Sequence, residues 1–173
     1  MLYRQVLGES FDTLHPHLRR FHGAHTAIVG HGSFTVERRR GTALLAALLR
    51  LPRAGEKVTV QIEVQPTPTG EKWIRRFEKS PMITEQWHQG TLLHEKAGPM
   101  TFGLEITVNR EGGVDFTTRR GWFLGIPLPL SLSPKVTAHT KPTESGWHAQ
   151  VELTLPLLGW LLRYEGEVIP QWT

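Results

Sequence analysis

The chain has 173 residues, carries 20 Lys and Arg against 16 Asp and Glu for a formal charge of +4, and contains no cysteine. That length suffices for one self-supporting core. The missing thiol excludes cysteine nucleophiles, zinc ribbons, iron–sulfur clusters and disulfide frameworks, and it fits a reducing compartment. Apolar residues at 39% and charged residues at 21%, with 17 Gly and 12 Pro, describe a folded, turn-rich protein. The opening Met1 to Phe11 lacks the charged head and apolar middle of a secretory signal. The longest apolar run, Ala43 to Leu49, is far short of the roughly 18 residues a membrane-spanning helix needs. These features predict a cytoplasmic single domain over residues 1–173 with no transmembrane segment. Fourteen of the 20 bases are arginine, but they lie scattered as Arg19-Arg20, Arg38 to Arg40, Arg75-Arg76 and Arg119-Arg120 with acids between them. That distribution predicts no nucleic-acid partner, because no helix carries a basic stripe.

In chain order, residues 1–22 read as a helical segment. Leu14, Leu18 and Phe21 recur at helical spacing, with Pro16 limiting where a helix can start. From Ala27 to Arg38 the pattern becomes alternation, placing Ile28, Phe34 and Val36 on one face. Gly30 and Gly32 share that face, so a bend or a close approach of backbone or ligand is expected there. Thr42 can cap a helix over residues 43–51, built from Ala and Leu and stopped by Pro52. Period-two segments follow at Val58 to Val64, Lys72 to Phe77, Ile83 to Trp87, Thr91 to Glu95, Phe102 to Val108 and Val114 to Arg119. Pro66 to Gly70 and Glu111 to Gly113 read as hairpin loops, which makes neighbouring strands antiparallel. Gly125 to Pro134, with three prolines, reads as an extended apolar crossing loop. Strands resume at Val136 to Thr140, Trp147 to Leu155 and Trp160 to Ile169.

So many short antiparallel strands are too many for a flat sheet. The expected fold is mainly β, within a β-rich α+β class: a strongly curved meander or closed barrel over residues 27–169, lipocalin-like or fatty-acid-binding-like, with helices at the N-terminus and one inserted after the first strand.

Glu71 to Phe77, Gly98 to Leu104, Leu124 to Pro129, and Leu155 to Gly159 leading into Arg163 to Gly166 together resemble the bacterial domain of unknown function 4166 family. Tyr3 to Leu18 and the Gly32 to Arg39 strand fit as well, so the likeness is near full length. The resemblance implies a single domain that occurs alone or behind a nucleotide-binding oxidoreductase domain, and it carries over no activity.

Function then rests on the residues. Alternation puts Trp73, Arg75 and Phe77 on one strand face. If that face is interior, Arg75 needs a partner, because a buried unpaired cation is very costly. The partner is either a carboxylate such as Glu63 or Glu85, or the acidic head of a ligand. Tyr164 is a candidate hydroxyl donor in the same cavity, and Trp87 and Phe102 are candidate contact rings. The ligand-binding set is therefore Arg75, Trp73, Phe77, Trp87, Phe102 and Tyr164. Five histidines, His15, His17, His22, His25 and His31, fall close in sequence without a supporting ligand set, so no metal or other cofactor is expected. Ser33 and His31 share a strand face, but no nucleophile elbow, phosphate loop or dinucleotide loop is present and no catalytic residue is assigned. The expectation is a non-enzymatic binding domain for an apolar or amphiphilic, acidic-headed small molecule. The alternatives are an enzyme acting on a lipid-like or aromatic substrate in the same cavity, and a structural interaction domain. The apolar stretches Ala43 to Leu51 and Ile126 to Leu132 are candidates to rim the cavity mouth, to plug the core, or to meet a membrane surface or partner.

Overall fold

A computed structural model describes residues 1–42, 46–47, 49, 51–78 and 80–172. The helical N-terminus comprises α1 (Leu2–Leu7), a 3-10 turn (Gly8–Thr13) and α2 (Pro16–His22). Eleven strands follow: β1 (Ile28–Arg38), β2 (Gly55–Thr67), β3 (Gly70–Phe77), β4 (Ser80–Gln89), β5 (Leu92–Ala97), β6 (Met100–Val108), β7 (Val114–Phe123), β8 (Ile126–Leu128), β9 (Lys135–Pro142), β10 (Trp147–Leu155) and β11 (Gly159–Gln171). Ala46 and Ala47 are helical, and the rest of the helix expected over 43–51 falls largely on positions 43–45, 48 and 50, outside the described residues.

Every strand pairing is antiparallel. β1 to β7 run as a meander, β7 pairs onward with β9, β10 and β11 follow, and β11 returns to β1, so ten strands close into a barrel. The closing seam is long, running from Val29 opposite Gln171 to Arg38 opposite Leu162. Closure leaves no sheet edge within the ring. The proline-rich segment expected as a loop holds one short strand, β8, which pairs only with the end of β7 and places Pro127 opposite Trp122. Such an outermost strand tolerates proline because one of its sides has no ladder to feed.

Alternation dictates the interior. Val58, Val60, Ile62 and Val64 on β2 and Met100, Phe102, Leu104 and Ile106 on β6 are buried in one core. Phe34, Leu162 and Val168 close it from β1 and β11. Two glycines permit the β1–β11 seam. A Cβ on Gly32 would lie 2.2 Å from the Glu167 carbonyl oxygen, and one on Gly166 would lie 2.2 Å from that of Ser33. The Phe34 ring packs over both positions, which accounts for the missing side-chain bulk on that face.

One barrel end is sealed by the helices. Pro16 sits in the first turn of α2, where its absent N–H costs nothing. Tyr3, Phe11, Leu18 and Phe21 are buried beneath the helices. Phe21 packs edge-on against Trp147 at 4.9 Å, which ties the plug to the wall.

Candidate functional site

The barrel encloses a cavity of about 300 Å³. Apolar walls come from Phe34, Ile62, Phe77, Met82, Phe102 and Leu104, and the polar groups gather on one side: Tyr3, Thr84, Gln86, Arg75, Glu95 and Tyr164. A mostly apolar hollow with a few convergent polar groups is the common form of a small-molecule site.

Arg75 is the centre of the polar side. It stands opposite Ile62 on β2 and Met82 on β4, both interior positions. Its Nη1 donates to Thr84 Oγ1 at 2.9 Å and to Glu95 Oε1 at 3.3 Å. Its guanidinium carbon lies 4.7 Å from the Trp73 ring centroid, a cation–π distance. Burial pulls the guanidinium pKa down, and Glu95 together with the Tyr164 and Tyr3 phenols more than restores it, leaving it above its ordinary value. The partner is thus Glu95. Glu63 faces outward and binds Arg76 at 2.8 Å, and Glu85 alternates with inward Thr84 and Gln86 on β4. The Arg75 and Glu95 side chains keep 14% and 16% of their surface, so the pair is reachable from within the barrel. Among the described residues, Nη1 alone carries the guanidinium's hydrogen bonds, which leaves Nε and Nη2 as donors for a guest.

Aromatic rings frame this pair. Tyr164 packs edge-on against Phe34 at 5.9 Å and Phe77 at 5.4 Å, and burial raises its phenol pKa. At the plugged end Tyr3 donates to Gln86 Oε1 at 3.2 Å and stacks on His22 at 3.8 Å. Burial, with Glu71 and Glu95 nearby, holds the Tyr3 phenol well above its usual value. His22 is buried, its Nδ1 has no hydrogen-bond partner among the described residues, and desolvation lowers its pKa to about 3. Beneath the wall, Glu71 accepts from the Trp73 indole at 3.1 Å, and burial raises its carboxyl pKa to about 7.

Five of the six residues anticipated as a binding set, Trp73, Arg75, Phe77, Phe102 and Tyr164, line this one cavity. Trp87 does not. It stands opposite His94 on the outer face, where Trp87, His94 and Trp122 form a row with ring spacings of 5.4 Å and 5.1 Å. The exterior position follows from strand parity, since Thr84 and Gln86 take the inward places on β4. Sequence reasoning missed Glu95, Thr84, Gln86, Tyr3 and His22. Glu95 had a signal, because it alternates with Leu93 and Ala97 on the dry side of β5.

The histidines disperse. His15 and His17 sit 5.1 Å apart at the surface end of α2 while His22 points into the barrel, and among the described residues no three metal-ligating side chains converge. His31 and Ser33 fall outside the cavity wall. A second depression, about 650 Å³ and open to solvent, crosses the outer faces of β1, β7, β9, β10 and β11. Its charged side chains largely satisfy one another, His139 with Asp115 at 2.6 Å, Arg163 with Glu152 at 2.5 Å and Gln150 with Glu165 at 2.9 Å.

With this geometry in place, a family model described as a domain of unknown function, DUF4166, matches residues 14–168. The chain belongs to the DUF4166 family. The matched DUF4166 region begins within the helical plug and ends on β11, so it reaches all ten strands of the ring, β11 as far as Val168, and holds every cavity residue named above except Tyr3. No curated protein and no solved structure matches the chain. The DUF4166 match therefore supplies kinship, and the barrel's chemistry has to supply the function.

Proposed function

We propose that the barrel is a binding domain that encloses one small molecule with an apolar body and a single polar end seated at Arg75. The observation that carries this reading is the cavity itself, an apolar hollow within the barrel whose polar groups converge on a half-engaged guanidinium. The pairing with Glu95 refines the head group. A carboxylate would enter beside an existing carboxylate, whereas a carbonyl or hydroxyl oxygen can accept from Nε or Nη2 without adding charge to the interior. The favoured guest is thus a neutral acceptor, in place of the acidic head expected from sequence.

Binding is favoured over catalysis by the protonation states. Tyr3, Tyr164 and Arg75 are pushed up and His22 is pushed down to about 3. Each of these cavity-lining groups therefore holds one state near neutral pH, and Glu71, pushed up to about 7, is not part of the cavity lining, an arrangement that suits holding a guest more than moving a proton.

Tryptophan fluorescence titration with a matched long-chain ketone, alcohol and carboxylic acid tests this, because Trp73 lies on the wall. The ketone and alcohol should bind and the acid should bind less well. Arg75→Met with Glu95→Gln should reduce the ketone's affinity by roughly tenfold, the effect of losing a charge-assisted hydrogen bond. Saturation by none of the three would refute the reading, and so would a double variant that binds the ketone as the native chain does.

A further inference from the structure

The barrel end opposite the plug differs from every other surface of the molecule. It is built from the connections β1–β2, β3–β4, β5–β6, β7 to β9 and β10–β11. Among the described residues ten large apolar side chains are exposed, and seven of them lie here: Phe123 at the end of β7, Ile126 on β8 and Leu124, Leu130 and Leu132 beside it on the way to β9, and Leu157 and Leu158 between β10 and β11. Leu157 is 100% exposed and Leu124 is 70% exposed.

Both leucines also occupy the backbone region that favours glycine, with φ of 66° at Leu157 and 50° at Leu124. A leucine there costs roughly 1–2 kcal/mol where asparagine or glycine costs less. Fold stability explains neither the strain nor the exposure, and backbone strain of this kind tends to gather at functional surfaces.

Charge gathers at the same end. Among the described residues its five connections contain Arg39, Arg40 and Arg53 against one acid, Glu78, an excess of two positive charges. Leucines projecting from tight turns within a basic rim match the two attractions that hold a protein on an anionic bilayer, acyl-chain burial and headgroup electrostatics. The barrel itself does not face lipid. Its outer wall carries ion pairs such as Arg76–Glu63, Arg119–Glu105 and Arg163–Glu152, where a membrane-spanning barrel needs an apolar band.

We infer that this end is a docking face for an anionic lipid surface, with Leu124, Ile126, Leu157 and Leu158 entering the acyl boundary and Arg40 and Arg53 meeting phosphate headgroups. Phe123 and Leu51, which line the cavity, lie at the same end, so docking sets that side of the cavity wall against the bilayer. The inference stands on the exterior alone and requires no interior guest, so it can fail independently of the binding reading.

The test is co-sedimentation of the chain with vesicles of phosphatidylcholine, and of phosphatidylcholine mixed with phosphatidylglycerol, at low and high salt. The chain should pellet with the anionic vesicles and be released by salt. Arg40→Gln with Arg53→Gln should weaken binding roughly 30-fold, at about fivefold for each basic side chain near a charged surface. Leu124→Asn with Leu157→Asn should weaken it roughly 100-fold, at about tenfold or more for each buried leucine. Because asparagine accepts the positive φ, the same variant should melt no lower than the native chain, which separates docking from folding. Three results would overturn the inference: no binding to anionic vesicles at low salt, equal binding to both vesicle types, or an asparagine variant that binds undiminished. A native dimer in ultracentrifugation that the asparagine variant dissolves, with no vesicle binding, would assign the patch to a second copy of the chain instead.

Discussion

His22 offers a stability prediction whose size follows from its surroundings. The ring is buried between Tyr3 and Phe21, its Nδ1 is unpartnered among the described residues, and its pKa falls from an ordinary 6.5 to about 3. Between those values the unfolded chain binds a proton that the folded chain refuses. Stability therefore falls on acidification from about pH 6.5, by up to about 1.4 kcal/mol per pH unit. Glu71 works in the opposite sense. Its pKa rises from 4.5 to about 7, so the folded chain keeps a proton that the unfolded chain has released, and acidification through that window stabilises. The two slopes oppose each other between about pH 4.5 and 6.5 and hide the histidine in the native chain. His22→Phe keeps a ring against Tyr3 and removes the titration. Subtracting the variant's unfolding free energy from the native value cancels every other group. The difference should be flat above about pH 7 and shift against the native chain by roughly 3 kcal/mol on reaching pH 4.5. Urea denaturation at four pH values measures it. A difference that stays constant with pH would show that His22 titrates freely and that the plug does not exclude water.

Further outcomes follow from the same packing. Leu104→Ala and Ile62→Ala, at positions 1% and 7% exposed, should each lose about 2–5 kcal/mol by equilibrium denaturation. Losses below about 1 kcal/mol at both would mean that these wall side chains gain no packing from the neighbouring strands on the side away from the cavity. Arg75→Met alone should cost about 3–5 kcal/mol by stranding Glu95, and adding Glu95→Gln should recover most of that loss; a double variant no better than the single would deny that the two side chains are coupled. Gly32→Ala should destabilise strongly, since its Cβ would meet the Glu167 carbonyl oxygen at 2.2 Å, and a thermal midpoint equal to the native one would show that the β1–β11 seam can open locally.

Much of the barrel was legible from alternation because period two directly encodes which face of a strand is dry. Val58 to Val64 and Phe102 to Val108 each present four apolar residues on one parity, and all of them are buried except Val108, which is partly so. The polar wall of the cavity was harder, for a physical reason. On β4 the apolar-looking parity is Ile83 and Trp87, and both lie off the cavity wall, while the polar Thr84 and Gln86 turn inward to serve Arg75 and Tyr3. A cavity with polar function inverts the local rule, and Trp87 was misplaced for that reason. Closure between β1 and β11 depends on two glycines whose partners lie at the far end of the chain. No local pattern announces such a pairing. Tyr3 and His22 reach the cavity only because the helices fold back across the barrel end, which is also a tertiary event.

The central claim is that the barrel interior is room for a guest. Ala138 lines the cavity among Phe116, Val136 and Val151, so Ala138→Phe fills space from within. Titrating the native chain and this variant with the same long-chain ketone, while recording each protein's thermal midpoint, measures the claim directly. The account predicts that the native chain binds, and that the variant loses binding while melting at the same temperature or higher. A variant that loses about 1–3 kcal/mol of stability, as overpacking a full core does, or one that still binds the ketone, would contradict it.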